Sequence, residues 1–507
     1  MSSKNTKRGL TIGFINPQGH VRWNKLQIAS HPDTGGQIVY IIELAKTLEK
    51  TGCKVDIFTR YFKDPEWPGY DKEIEEYSKN LRIIRIKCGP DDKFVRKEDL
   101  WPIMNDFALG IEDFYKNSGY TPDVFASHYA DAGIAASILK VNMKIPFTHT
   151  GHSLGGKKMD NLRISRSNFT TINNCYKFHL RIFAERISLR NSGAIVVSTQ
   201  EEIDKQYGHK VYRDAVKNSD KFNIIPPGID PALFYPYNRK EKNTKIYNKA
   251  VKKLQNELEK HIRKKRLDLP CIFSAARFDA KKNPAGLLRA YAESEDLQEN
   301  TNLLIIAGKV EDPLNPVNRS KFNENEKIIV KEIVDIISEF ELEGKVCVSP
   351  CFDYAAEMPY IYRYAGRNDW IFINPALHEP FGLTVVEAMA SGLPVVATKY
   401  GGVTDILQNE HYGLLIEPTD WHSIRAGLKK MLMVRFWKKY SRLGIDRVKQ
   451  KYTWQSAAEG YKELFERIIK AKLKVKDDYN IPGFFLNPHN IDDSEILEKF
   501  KKLYYIG

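Results

Sequence analysis

Two carboxylates eight residues apart, Glu379 and Glu387, flank the turn Pro380-Phe381-Gly382-Leu383-Thr384. The apolar run 371–374 reads as a short buried strand, and Gly382 opens a helix that Gly392 and Pro394 close before another strand begins. That order puts Glu379 and Gly382 at the carboxyl end of a parallel strand, where open α/β sheets bind ligands. It also exposes the amides of Phe381, Gly382, Leu383 and Thr384 at a helix start suited to phosphate. Glu387 then lies about a turn and a half into the helix. Earlier in the same half, Arg277-Phe-Asp-Ala-Lys-Lys282-Asn-Pro follows another apolar strand. An arginine and a lysine opposite a phosphate-binding helix start can clamp a diphosphate and neutralise the charge that develops as it leaves.

The first half carries a second set of polar strand ends. Gly35-Gly36-Gln37 follows the first strand and opens a helix, so a phosphate or sugar can approach its backbone closely. His128-Tyr129-Ala-Asp131 ends a further strand. The segment 147–159 ends another, with His152, Ser153, Gly155, Gly156, Lys157 and Lys158 in a loop where side chains and backbone donors should converge on a ligand. The passage 176–186 reads as one helix with Lys177 and Arg181 on a shared face, either side of an anion or pointing apart.

Those residues need two scaffolds to hold them. Strands at 10–16, 54–59, 81–88, 124–128, 147–151 and 194–198 alternate with helices at 37–50, 100–116 and 131–141, as in a doubly wound parallel sheet. The stiff passage 222–230, with Pro226-Pro227-Gly228, reads as the hinge between domains. A charged helical excursion over 238–267 precedes a second α/β alternation from Cys271 to the helix at 455–470. The expected domains are 1–228, with 478–507 packed back on it, and 229–477.

The chain has 507 residues, 42% apolar and 28% charged, and its six cysteines are scattered, mostly on apolar stretches, as buried free thiols would be. No stretch approaches a membrane span and no apolar signal core opens the chain, so a cytoplasmic protein is expected. The net charge of +14 raises the possibility of a nucleic-acid-binding or regulatory protein, but the basic residues are spread and no nucleic-acid recognition signature accompanies them. A dehydrogenase is disfavoured because no G-x-G-x-x-G follows the first strand of either half. No Asp-x-Asp sits at a strand end in a metal-binding position.

The segments Asn16-Pro-Gln-Gly, His31-Pro-Asp-Thr-Gly-Gly-Gln37, Gly151-His-Ser-Leu-Gly155, Pro226-Pro-Gly, Arg277 to Asn283 and Glu379-Pro-Phe-Gly-Leu together resemble the sucrose-phosphate synthase family of GT-B retaining glycosyltransferases. Sucrose synthase and mannosylfructose-phosphate synthase share much of the set. The resemblance implies two Rossmann-like domains facing a central cleft, with a nucleotide sugar, usually UDP-glucose, on the C-terminal domain and fructose 6-phosphate on the N-terminal one. It implies a diphosphate clamp of Arg277 and Lys282, a sugar contact at Glu379 and a ribose contact at Glu387, with Gly36 and the 381–384 turn also on the donor. Gly35, Gln37, Lys97, Tyr129, Ser153, Lys158 and Arg181 match acceptor positions, and His152 a reaction-centre position that orients the sugar without acting as base. No cofactor, essential metal, nucleic acid or membrane is expected, and a monomer is compatible with everything above. GDP-mannose as donor, or another phosphorylated acceptor, are the alternatives. The family often has two successive arginines where this chain reads Leu180-Arg181, which would remove a positive group near the acceptor phosphate.

Overall fold

A computed structural model describes residues 9–23, 33, 35–216, 219–238, 244–471 and 480–505. The chain divides into two compact units, Met1–Pro227 with Ala457–Gly507, and Gly228–Ser456. Residues 24–32 and 34 of the segment before Gly35, His31 among them, lie outside the described residues.

The first unit is built on eight strands: β1 Thr11–Ile15, β2 Lys54–Arg60, β3 Ile74–Ser78, β4 Leu81–Ile86, β5 Val124–His128, β6 Phe147–Thr150, β7 Ala194–Val197 and β8 Phe222–Ile224. They lie in the order 3-4-2-1-5-6-7-8, and every pairing is parallel except that of β3 with β4. Strands β1 and β5 are buried along their whole length. Around them run α1 Gly36–Lys50, α2 Met104–Ser118, α3 Tyr129–Met143, α4 Gly155–Asn161, α5 Phe169–Tyr176 and α6 Phe178–Asn191. Helix α1 buries Ile38, Ile41, Ile42, Leu44 and Leu48, an apolar stripe of helical period. Each such side chain contributes about 1.5–3 kcal/mol when fully buried.

The second unit holds β9 Cys271–Ala276, β10 Asn302–Ala307, β11 Val346–Ser349, β12 Ile371–Asn374, β13 Val395–Thr398 and β14 Leu414–Ile416, all parallel in the order 11-10-9-12-13-14. Its helices are α7 Lys245–His261, α8 Pro284–Ala292, α9 Glu295–Asn300, α10 Glu324–Glu339, α11 Met358–Arg367, α12 Leu383–Ala390, α13 Val403–Leu407, α14 Trp421–Leu432 and α15 Val434–Lys451. Apolar clusters cover both faces of this sheet, one including Phe273, Phe372 and Val395 and the other Ile272, Ile371 and Val396. The strand order reverses between β9 and β12, so the carboxyl ends of those strands form the topological switch point.

Four features depart from the sequence reading. The exposed strand β3, rich in glutamate, has no apolar alternation to announce it. Residues 222–224 of the expected hinge are strand β8, paired with β7. The helix expected over 176–186 is two helices, broken where Lys177 takes φ +48° between α5 and α6. The chain also returns to the first unit at Ala457, not 478, because α16 Trp454–Ala471 buries Ala457, Ala458, Tyr461, Leu464 and Phe465 there. Helices α17 Gly483–Leu486 and α18 Ser494–Tyr505 follow on the same unit, Phe485 and Phe500 being fully buried. Four of the six thiols are buried, while Cys175 and Cys351 are exposed.

Candidate active site

In the second unit the expected donor residues gather at the ends of β9 and β12. The Lys282 Nζ donates to Glu379 Oε2 at 2.7 Å, and Asn374 Nδ2 donates to the same oxygen at 3.0 Å. Both contacts fall on one carboxylate oxygen, which leaves Oε1 to accept from a ligand hydroxyl. The loop bearing Glu379 is fixed by the turn after β13: the Glu379 amide donates to Tyr400 O at 3.0 Å and the Gly402 amide to Glu379 O at 3.0 Å. Gly401, at φ +107°, makes this possible, since a Cβ there would stand 1.9 Å from that carbonyl oxygen. Gly382 adopts φ +105° as N-cap of α12, and the first amides used inside that helix are those of Val385 and Val386, which both donate to Gly382 O. The amides of Phe381, Gly382, Leu383 and Thr384 precede them at the positive end of the helix.

Arg277 is exposed just beyond β9. Asp279 and Asn283 shape the turn between it and Lys282: Asp279 Oδ1 accepts from the Lys281 amide at 2.9 Å, and Asn283, at φ +54°, caps α8. Glu387 is buried, and Tyr354 Oη donates to its Oε1 at 2.8 Å. Burial raises its pKa to about 7, against the opposing pull of that hydroxyl.

In the first unit a cavity of about 400 Å³ is lined by all seven expected acceptor residues, Gly35, Gln37, Lys97, Tyr129, Ser153, Lys158 and Arg181. Gln18, Asp33, Glu98, Trp101, Ala130, Asp131 and Tyr176 complete its wall, and of these the sequence points only to Asp131, as a polar strand-end residue. Lys97 is tethered, its Nζ 2.5 Å from Asp33 Oδ1 and its amide donating to Asp33 Oδ2 at 3.0 Å. Arg181 Nε donates to Glu185 Oε1 at 3.0 Å and its Nη2 to Ser153 O at 2.6 Å. Burial pulls the guanidinium down, but Glu185 carries it above its usual value. Lys158 lies 3.9 Å from the centre of the Tyr176 ring. Its pKa is lowered by burial first, then by the positive charges of Arg181 and Lys97. A lysine held down by positive neighbours in this way is relieved by an anion placed beside it.

Across that wall Asp131 is 3% exposed, and its Oδ2 has no protein partner. Burial raises its pKa to about 7, while the amides of Ala132 and of Asp131 itself oppose the shift. Gln18 Nε2 approaches Oδ1 at 3.4 Å. Tyr129, at φ +74°, carries a hydroxyl pushed up to about 12 by burial.

His152 sits at φ +53°, a strained backbone for a residue with a Cβ. Its Nε2 is 2.9 Å from His128 Nδ1, and its ring packs against Tyr40 and Tyr129. Burial lowers its pKa to about 3, so it is a neutral imidazole at physiological pH. The amides of Gly155 and Gly156 do not face a ligand as expected. They donate to Glu185 Oε1 at 2.9 Å and to Tyr212 Oη at 2.9 Å. Their glycines serve packing, because a Cβ would meet Ile182 at 2.9 Å or His209 at 2.7 Å. Gly36 is exposed at the start of α1 and does not line the cavity. Lys177 is likewise absent from the wall, being the joint between two helices. Among the described residues no group of three or more His, Cys, Asp or Glu is placed to hold a metal ion.

Known proteins divide in the same way. The family described as sucrose synthase first GT-B domain matches residues 10–256, and that described as glycosyl transferases group 1 matches 255–446. A probable sucrose-phosphate synthase of Thermosipho melanesiensis is 33% identical over 479 residues, covering 94% of this chain and 99% of the relative. The chain belongs to the sucrose-phosphate synthase family. It is a glycosyltransferase of the hexosyl-transferring type, with two parallel-sheet Rossmann-like units. The sucrose-phosphate synthase of Zea mays is 31% identical over 518 residues, covering 91% of this chain but 47% of its own length, so the chain spans about half of that plant relative. The solved sucrose-phosphate synthase from Thermosynechococcus elongatus superposes with a TM-score of 0.61 at 23% identity, over 91% of this chain and all of the other.

Leu180, where sucrose-phosphate synthases often carry an arginine, is 3% exposed in an apolar cluster with Ala184 and Ile187. It faces the core, so leucine there takes nothing from the pocket wall. No helix among the described residues is long and apolar enough to cross a membrane.

Proposed function

We propose that this chain moves a glucosyl group from UDP-glucose to fructose 6-phosphate, with retention, to give sucrose 6-phosphate and UDP. The observation that carries the reading is the first unit's pocket, whose lining combines three cations, Lys97, Lys158 and Arg181, with Gln18, Tyr129 and Asp131 as partners for hydroxyls. That is the chemistry of a phosphorylated sugar. The second unit offers what a nucleotide sugar requires, a lysine-braced carboxylate for hydroxyls and unused helix amides for a diphosphate.

In the proposed reaction the bond from the anomeric carbon to the diphosphate breaks as the acceptor hydroxyl attacks from the same face. The hydroxyl proton passes to the departing phosphate oxygen. Arg277, Lys282 and the 381–384 amides offset the charge that builds on the leaving group, and we assign no resident metal to that task. Glu379 orients the donor sugar through Oε1, and Glu387 the ribose. Neutral His152 hydrogen-bonds the sugar; a group with a pKa of about 3 is too weak a base to deprotonate an alcohol at neutral pH. Asp131 is the polar partner for an acceptor hydroxyl. The reading involves no nucleic acid or membrane, and it places the reaction in the cytoplasm.

Release of UDP, ADP and GDP from their glucose conjugates, and of GDP from GDP-mannose, measured against a panel of sugar phosphates, tests the proposal. UDP release should be fastest with fructose 6-phosphate. Preference for GDP-mannose, or for unphosphorylated fructose, would overturn the substrate assignment.

A further inference from the structure

Behind the strained His152 loop lies a chain of buried hydroxyls that the proposed reaction does not use. Helix α16, with which the chain returns to the first unit, carries Tyr461, a fully buried side chain. The Tyr461 hydroxyl lies 2.9 Å from that of Tyr40 on α1 and 3.2 Å from Thr150 Oγ1 at the end of β6. Thr150 stands two residues before His152. The Tyr40 ring meets the His152 ring edge-on, with centroids 5.3 Å apart and planes at 84°. From the other side, Tyr207 Oη accepts from the Gly151 amide at 3.2 Å, and a Cβ on Gly151 would stand 2.7 Å from that oxygen. The two residues that lead into His152, which must hold φ +53°, are therefore each bonded to a phenol oxygen.

We infer that Tyr461 is a positioning residue for His152, its hydroxyl joining Thr150 and Tyr40 so that the imidazole keeps one orientation against His128. Core packing alone does not call for this arrangement. A phenylalanine would fill the same apolar volume, whereas buried hydroxyls are kept where their bonds hold a geometry. Tyr40 and Tyr461 both titrate far above neutral pH because they are buried, so the relay stays uncharged. It therefore acts through direction and not through charge.

The kinetic arm of the test rests on the substrate reading above. In the 507-residue chain Y461F, which removes the hydroxyl shared with Tyr40 and Thr150, should lower kcat by between about threefold and tenfold, with KM for both substrates unchanged. T150V should behave alike and T150S should restore the wild-type rate. The double variant Y40F/Y461F should be no slower than the slower single variant, since both remove the same link. A readout free of turnover is the carbethoxylation of His152 by diethyl pyrocarbonate, followed by peptide mass, which should quicken in Y461F and T150V as the ring loosens. Unchanged kcat and unchanged labelling in Y461F would overturn the inference, as would losses that add in the double variant. If Y461F fails to fold, T150V tests the same bond from its other end. If the wild type turns over no sugar nucleotide while labelling still responds to Y461F, the substrate reading fails and the positioning role stands.

Discussion

The two candidate sites present their positive groups in opposite ways. In the second unit the positive groups follow one another along the chain in short turns, and the ion pair of Lys282 with Glu379 joins two residues expected to serve the same ligand. In the first unit the cations come from separate elements, and two of them are already braced by carboxylates, Lys97 by Asp33 and Arg181 by Glu185. Partners fixed before the ligand arrives make a rigid receptor for a small phosphate. An exposed Arg277 and open helix amides make a clamp suited to a charge that grows as a bond breaks. The first arrangement favours binding and the second favours turnover.

That contrast is broken most severely at Lys282. K282A removes a cation from the leaving group and also loosens Glu379, leaving it Asn374 alone. The expected result in steady-state kinetics is a fall in kcat/KM of about 10²–10³-fold, with KM for the acceptor unchanged. His152 comes next, because a neutral hydrogen-bonding ring contributes less than a charge at the bond being broken. H152A should lower kcat by about 10²-fold while UDP affinity by calorimetry stays as it was. A fully active H152A would remove the ring from the mechanism.

On the acceptor side the loss should appear in KM. R181A deletes a charge-assisted contact to phosphate, which should raise KM for the sugar phosphate by about 10–100-fold and leave kcat at saturation nearly intact. Because R181A also leaves Glu185 buried without its partner, R181K is the control, and it should recover part of the affinity. A large fall in kcat with unchanged KM in either variant would erase the distinction between the two half-sites.

The same contrast explains what could be read from the chain. The geometry around the expected donor residues was legible because a strand, a glycine turn and a helix start occur in one contiguous stretch, so 379–387 and 277–283 carry their own geometry. The seven residues expected to hold an acceptor were named through a family pattern, and the structure brings them to one cavity. Gln18, Trp101 and Tyr176 were missed, since their place on that wall depends on how β1, α5 and the segment before α2 pack. Asp131 did offer a signal, a carboxylate immediately after a strand-end tyrosine in an otherwise apolar stretch. The glycines at 155 and 156 misled in the other direction. A glycine-rich loop at a strand end looks like an anion cradle, yet Glu185 and Tyr212 take its amides. Only tertiary packing decides between these uses. The return of the chain was expected, but at 478 and not at 457, because α16 shows the same amphipathic period whichever unit it covers.

Protonation state is the least legible property of all, and it gives the mildest test of the comparison. Glu379 and Glu387 belong to one motif, but the first is an ion-paired carboxylate while the second is buried beside Tyr354 with its pKa raised to about 7. A raised folded-state pKa means that the native protein binds the proton more tightly than the unfolded chain does. The stabilisation is complete below the unfolded carboxyl pKa, near 4.3, and is lost as pH rises through about 7. The buried histidines of the first unit slope the other way: their lowered pKa values give stability that is present above about 6.5 and lost as pH falls toward about 3. Melting temperatures of wild type and E387Q between pH 5 and 8 therefore separate the two effects. The glutamine, neutral throughout, should cancel the carboxyl slope and leave the histidine slope, so E387Q should gain relative to wild type by a few degrees toward pH 8. A difference between the two proteins that does not change with pH would mean that Glu387 is ionised in the native state over the whole range, and the ribose would then meet a carboxylate at every pH tested.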